Sequence, residues 1–312
     1  MENISNFAHI YSSKYYINNM TSSLKTKYHI LAILTVAVWG TTFISTKILI
    51  NNGLSPQEIF LLRFIIAYIG IWFISPRKFF SDSLKDELTM FAAGLTGGTL
   101  YFLTENTALK FTQTTNVAFI ICATPLLTTG LSLLTDRNNK VSHNWLLGSI
   151  AALIGVAILI FNGSVILKLS PIGDFLTLAA ALSWAFYSLI INKLSKKYRS
   201  IFITRKIFFY GTLGILPAFI IHPFSFPLEG FLRPEVFINL LFLSLLASLV
   251  CFVVWNMVLM HLGTIMSSNY LYLNPLFTTL AAFVVLNETL TIYAFIGVLL
   301  VMLGVFLSTR YK

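Results

Sequence analysis

Apolar residues run along this chain in long, nearly unbroken stretches. They show neither the alternation of a half-buried strand nor the single stripe of a soluble amphipathic helix. Ten stretches stand out, at about 29–50, 57–74, 88–109, 113–134, 144–162, 172–194, 205–222, 235–260, 264–286 and 291–308. Each approaches the roughly 20 residues an α-helix needs to cross hydrocarbon, which predicts ten transmembrane helices. The polar breaks between several of them are so short that the flanking helices must run antiparallel. Proline and glycine occur inside the stretches, at Gly40, Gly94, Gly97, Gly98, Pro125, Gly155, Pro217, Pro275 and Gly304. In a bundle, neighbouring helices satisfy the backbone groups a proline frees, and glycine lets two helices approach closely.

The pattern repeats. Pro125 and Pro275 are 150 residues apart, as are Asn106 and Asn256. Gly148 and Gly297, and Gly155 and Gly304, are 149 apart, and Trp39 and Trp184 are 145 apart. A unit of five spans therefore occurs twice, with units expected at 28–163 and 164–312 behind an unfolded cytoplasmic tail at 1–27, where Met20 offers a second start. Five is odd, so the second unit is inverted relative to the first. The predicted fold is all-α and polytopic, with ten helices forming two inverted repeats. In such architectures substrate binds near the bilayer midplane between the halves.

Composition agrees: 57% of residues are hydrophobic and 10% charged, against about 25% charged in soluble domains. The net charge of +10 would suit a nucleic-acid binder in a soluble chain. Here the basic residues have a topological pattern instead. With the N-terminus inside, 16 of 21 Lys and Arg fall on the cytoplasmic side, including Lys25, Lys27, Lys78, Arg137, Lys197 and Arg310. Lys110, Lys168 and Arg233 fall outside. Both termini are thus expected to be cytoplasmic, with lipid and not nucleic acid as the macromolecular partner. Cys122 and Cys251 lie in apolar runs without metal or redox spacing. His143, His222 and His261 mark span ends and read as interface residues. No phosphate-binding glycine loop, HExxH or sizeable soluble domain occurs, so neither an enzyme nor a cofactor is expected.

Charge within a span is costly and marks function by default. Lys47, Arg63 and Glu105 fall in the outer part of the bilayer at 1.5 Å rise per residue. Lys47 reads as snorkelling to the interface. Arg63 reads as half of an ion pair that fixes packing. Glu105 reads as a partner of Arg63 or Lys47 or, more sharply, as a proton-titratable gate paired with Arg63, its charge decided between burial and the neighbouring cation. A second candidate set is polar and aromatic: Trp39, Thr42, Tyr101, Asn106, Trp184, Tyr187, Trp255, Asn256, Tyr270 and Asn274. Such side chains suit a cavity that holds an organic solute and offers hydrogen bonds, although each alone fits bundle packing equally well. The repeated amides Asn106 and Asn256 are pointed, because an amide in hydrocarbon needs partners. Asn274-Pro275 frees a carbonyl one turn earlier, giving a kink, a hinge or a polar wall. Glu288 reads as a carboxylate near the N-terminus of the last helix.

These segments carry a family resemblance. WGTTFISTKIL with LLRF (39–64), ALKFTQTTNVAFIICATPLLTTGLSLL (108–134), GDFLTLAAALSWAFYSLI (173–190) and LGTIMSSNYLYLNPLFTTLAAFVVLNETLTIYAFIGVLLVMLGV (262–305) resemble the drug/metabolite transporter superfamily, in its EamA-like branch. The resemblance covers essentially all of 28–308. It implies ten helices, an EamA-like unit twice, and movement of a small metabolite, often outward. One departure stands out. The family's acidic residue after each hairpin's first helix is Glu288 in the second copy, while the first offers only Asp136, out of register. The expected function is a secondary transporter exporting amino acids or related compounds across the cell membrane, in a bacterium the inner one, by alternating access. Protons are a candidate coupling ion, and a monomer suffices. The alternatives are a flippase for amphiphilic cargo, which predicts a cavity open sideways to lipid, and a non-transporting scaffold or sensor, which predicts a soluble partner domain or a long tail.

Overall fold

The computed structural model of the 312-residue chain describes residues 22–75, 78–135, 141–161, 170–286 and 292–309. These residues form ten helical passages. They are α1 (Ser22–Asn51), α2 (Pro56–Trp72), α3 (84–111), α4 (114–135), α5 (His143–Phe161), α6 (Pro171–Leu194), α7 (Ser200–Ile221), α8 (Pro234–Leu262), α9 (264–286) and α10 (Ile292–Thr309). Seven of them (α1, α4, α5, α6, α7, α8 and α10) contain a helix long and apolar enough to cross a membrane. Of the rest, α2 has 17 residues, the low end of the crossing range. Lys85, Asp86, Glu87 and Lys110 charge the two ends of α3, and α9 joins three shorter pieces. The protein is an all-α, polytopic membrane protein of two inverted five-helix repeats.

The expected spans and the observed helices agree closely, with two informative differences. Helix α1 begins at Ser22, so residues 22–27 of the expected tail are helical. Helix α7 begins at Ser200, which puts Arg205 and Lys206 inside a helix instead of in a loop. Both are buried there because both are satisfied. Arg205 stacks 4.6 Å from the Trp72 ring and donates to the Lys78 carbonyl, and Lys206 pairs with Glu87. Asp136, Arg137, Lys140, Lys168, Asn287, Glu288 and Arg310 lie outside the described residues, and with them much of the charge pattern used for orientation.

The repeat is visible in the packing of the two terminal helices. A Cβ on Gly148 would stand 2.6 Å from the Gly304 carbonyl oxygen, and one on Gly155 would stand 2.8 Å from that of Gly297. The reciprocal contacts hold, at 2.5 Å from Gly304 to Gly148 and 2.8 Å from Gly297 to Gly155. Each equivalent pair thus faces the other across an antiparallel seam where backbone touches backbone. A second close approach, at Gly40, lays α1 on α9. A Cβ there would meet the Asn274 carbonyl at 2.9 Å, and Thr278 Oγ1 donates to the Gly40 carbonyl at 2.7 Å.

Helix α2 starts with a capping box in the sequence S-x-x-E. Ser55 caps the Glu58 amide, and Glu58 accepts from the Ser55 amide at 2.8 Å. Its other oxygen accepts from the amides of Ser225 and Phe226 at 2.6 and 3.0 Å. A buried carboxylate therefore ties the start of α2 to the segment ahead of α8. This second role is not visible in the motif.

Candidate functional site

Two helices widen and two break as they reach the centre of the molecule. A π-helical segment, Leu95–Leu100, interrupts α3, and another, Phe242–Val250, interrupts α8. Such segments gather at functional sites because they re-aim the side chains that follow. Here those are Tyr101 and Phe102 in α3, and Phe252 in α8. Helix α4 breaks at Cys122 and Ala123, ahead of Pro125. Helix α9 passes through a 3-10 turn, Tyr270–Leu273, ahead of Pro275. The carbonyl freed by Pro275 is that of Leu271, and the Cys122 thiol lies 3.9 Å from it.

These irregularities surround one cavity. Its wall comes from Trp39, Thr42 and Phe43 of α1, Arg63 of α2, and Tyr101, Phe102 and Glu105 of α3. Ile121 and Thr124 of α4, Trp184 of α6, Phe252 of α8, and Leu271 and Asn274 of α9 complete it. Most of the wall is a repeat of itself. Trp39 matches Trp184, Phe102 matches Phe252, Ile121 matches Leu271 and Thr124 matches Asn274, at the 145- and 150-residue spacings of the two copies. The charges are not repeated: 150 residues beyond Glu105 stands Trp255. The cavity measures about 30 Å³, above the roughly 10–15 Å³ that one water molecule needs.

The aromatic wall is continuous. Trp39 meets Trp184 edge-on with ring centroids 5.2 Å apart and Trp255 at 5.0 Å. Trp184 also packs on Tyr101 at 4.8 Å and on Phe252 at 5.7 Å. The two matched tryptophans differ at their polar tips. Trp39 Nε1 donates to the Ala247 carbonyl at 3.0 Å, whereas Trp184 Nε1 is buried without an acceptor among the described residues. Thr124 Oγ1 and Asn274 Oδ1, on the same wall, are likewise buried without partners. Buried polar atoms are normally satisfied; three such orphans share this wall, and nine more are spread over the rest of the described residues.

Arg63 and Glu105 are 2% and 4% exposed and line the cavity together. The direct pair expected between them is absent: the ion pairs among the described residues are Lys78–Asp82, Lys197–Asp86 and Lys206–Glu87. Each buried charge is held by a neutral neighbour instead. Arg63 Nε donates to Ser248 Oγ, and its guanidinium lies 4.3 Å over the Phe102 ring. Glu105 Oε1 accepts from Tyr101 Oη at 3.0 Å, one turn earlier on the same helix. Ser248 carries no signal in the sequence, because only the fold brings α8 against α2.

The cavity gathers seven of the twelve residues singled out from sequence: Trp39, Thr42, Arg63, Tyr101, Glu105, Trp184 and Asn274. The other five hold helices together outside it. Tyr187 Oη donates to Asn256 Oδ1 at 2.6 Å, and Asn256 Nδ2 donates to Thr204 Oγ1 at 2.9 Å. Asn106 Nδ2 reaches the Pro56 carbonyl at 3.4 Å. Trp255 packs behind Trp39. Tyr270 Oη hydrogen-bonds His29 Nδ1 at the start of α1. Lys47 reaches the Leu109 carbonyl in the last turn of α3, a site where a cation complements the helix dipole.

A cluster of charge closes the end of the bundle where α1, α3 and α7 begin. Asp86 pairs with Lys197 and accepts from Tyr198 Oη at 2.8 Å; Glu87 pairs with Lys206 and accepts from Tyr210 Oη. These contacts join α3 of the first repeat to α7, and to the turn before it, in the second. Hydrogen bonding to Asp86 holds the Lys197 ammonium above lysine's ordinary range, and hydrogen bonding from Lys78 holds the Asp82 carboxyl below its own. The Lys197 contribution is therefore present below lysine's unfolded value and is lost as pH rises through the raised one. That of Asp82 is present above the unfolded carboxyl value and is lost as pH falls through the lowered one. Near neutrality both stay charged. Raising salt concentration, not moderate pH change, is thus expected to loosen the exposed contacts, read as faster hydrogen exchange at residues 78–87 in high salt.

Helices broken at matched places, buried polar groups around a central cavity and a charge cluster at one end fit a membrane permease. The chain belongs to the EamA-like transporter family, which matches residues 26–161 and 171–310. It is a transporter and not an enzyme. An uncharacterized transporter of Archaeoglobus fulgidus is 29% identical over 290 residues, covering 92% of this chain and 98% of that one. A "Probable amino-acid metabolite efflux pump" of Escherichia coli is 25% identical over 292 residues, covering 89% and 93%. A crystal structure with 17% identity superposes with a TM-score of 0.71, covering 93% of this chain and 97% of that one, and shares the fold.

Proposed function

We propose that this protein is a secondary permease that exports amino acids or related small metabolites across the cell membrane by alternating access. The two repeats, residues 28–163 and 164–312, rock against each other around the central cavity, and both termini lie in the cytoplasm. The observation that carries this reading is the cavity itself, lined by both repeats, with walls that match at the repeat spacing and polar atoms left unpartnered. The efflux role of the Escherichia coli relative supports the substrate class and the direction. A flippase would need a polar cleft open sideways to lipid, whereas Arg63 and Glu105 are buried.

Counterflow in proteoliposomes tests the proposal. Vesicles preloaded with unlabelled amino acid are expected to accumulate labelled amino acid, and protein-free vesicles are not. Absence of exchange for amino acids and related metabolites alike would reject it. Proton coupling through Glu105 is a separate expectation: an imposed pH gradient should drive net flux, and Glu105→Gln should abolish the gradient's effect. Equal flux with and without a gradient, or an unchanged gradient effect in the variant, would count against it.

A further inference from the structure

Arg63 and Glu105 pose an energetic problem that the protein alone does not solve. Both are buried against one cavity, yet no ion pair joins them. Arg63 donates from Nε to Ser248 and Glu105 accepts from Tyr101, so each charge touches a neutral partner and no opposite charge among the described residues. Uncompensated charge in a low-dielectric site is expensive. Such an arrangement fits a solute that brings the missing partners with it.

Resting on the reading of the cavity as the transport site, we propose that Arg63 and Glu105 are the two poles of a zwitterion site. Arg63 takes the α-carboxylate of an amino acid and Glu105 takes its α-ammonium. A planar guanidinium fork matches a carboxylate in two parallel hydrogen bonds. The orphaned atoms have complementary polarity: Trp184 Nε1 is a donor suited to the carboxylate, and Asn274 Oδ1 is an acceptor suited to the ammonium. The site's own formal charge cancels, so a solute with both charges leaves neither pole bare, and a simple amine or acid leaves one. The rest of the wall, Trp39, Phe102, Trp184 and Phe252, is aromatic and favours an apolar or aromatic side chain. The poles stand only on the first repeat, so the solute is gripped by its charges from one half and closed over by the other.

The test compares analogues on the unmodified protein, by competition for counterflow and by thermal stabilisation in detergent. L-phenylalanine, L-leucine and L-methionine are each set beside the amide, which lacks the carboxylate, and the N-acetyl derivative, which lacks the ammonium. Removing one partner of a buried charge pair leaves the other unpaired, so both derivatives are expected to compete about 100-fold more weakly than the parent. Arg63→Gln should erase the discrimination against the amide and leave that against the N-acetyl compound. Glu105→Gln should do the reverse, and Arg63→Lys should keep part of the preference for the carboxylate. If the parents are transported and their derivatives compete equally well, the zwitterion site is overturned and the transport reading stands. If only singly charged or uncharged metabolites exchange, the result is the same. If no solute exchanges at all, the transport reading fails with it. The comparison on unmodified protein decides the question even if the Arg63 variants do not fold.

Discussion

Gly304→Leu yields no recoverable folded protein, and Gly304→Ala lowers thermal stability sharply; these are the expected outcomes for the seam between α5 and α10. A Cβ at position 304 would lie 2.4 Å from the Ala152 amide nitrogen and 2.5 Å from the Gly148 carbonyl oxygen. Both are backbone atoms, so no side chain can turn aside to relieve the overlap. Overpacking by a methyl typically costs about 1–3 kcal/mol, and a clash with backbone belongs at or above the upper end of that range. The matched change Gly155→Ala should cost a similar amount, because it meets Val301 and Gly297 backbone atoms at 2.6 and 2.8 Å. Gly130→Ala is the control, with nothing within 4 Å of the added carbon. Fluorescence-detected size exclusion after a heat step measures all three. Equal melting of Gly304→Ala, Gly155→Ala and Gly130→Ala would show that the seam yields.

Glu87→Gln is expected to shift the protein toward opening at the end where α1, α3 and α7 begin. The substitution leaves Lys206 with 6% of its side chain exposed and its carboxylate partner gone. Removing one member of a buried pair costs about 3–5 kcal/mol, and the 15% exposure of Glu87 reduces this to roughly 2 kcal/mol. The contact joins the two repeats and, under the proposed alternating access, breaks when that end opens, so the cost falls on the closed state. A shift of about 2 kcal/mol changes the population ratio by roughly 30-fold. A cysteine at Thr42, inside the cavity, reports it through its reaction rate with a membrane-impermeant thiol reagent applied from that end. The native thiols, Cys122 and Cys251, are buried. An unchanged rate in a variant that folds normally would show that the Glu87–Lys206 contact is not a latch.

Much of this was legible in the sequence, and the rest was hidden for identifiable reasons. Hydropathy and the repeat spacings located the ten helices because crossing hydrocarbon demands long apolar runs, and duplicated prolines and glycines survive as landmarks. Arg63 and Glu105 announced themselves by the cost of their burial. Their actual partners did not. Ser248 and Tyr101 are ordinary residues whose role depends on how α8 and α3 are rotated. The repeated amides differ in surroundings that their spacing does not encode: Asn106 Oδ1 is buried without a partner among the described residues. Asn256 meets its need for partners on Tyr187 and Thr204, so a duplicated polar residue can be duplicated for packing. The π segments carry no composition of their own: Gly97-Gly98 falls in one, and the other reads FLSLLASLV without a glycine.

The tryptophan cluster gives this protein a built-in optical gauge. Three of its five tryptophans, Trp39, Trp184 and Trp255, lie in one chain of contacts with centroids 5.0–5.2 Å apart. Rings this close couple electronically and absorb as a unit with a strong near-ultraviolet circular dichroism signal. Trp39 and Trp184 belong to opposite repeats, so separating the halves must separate the chromophore. The proposed opening and closing would then be readable in unlabelled protein by spectroscopy alone.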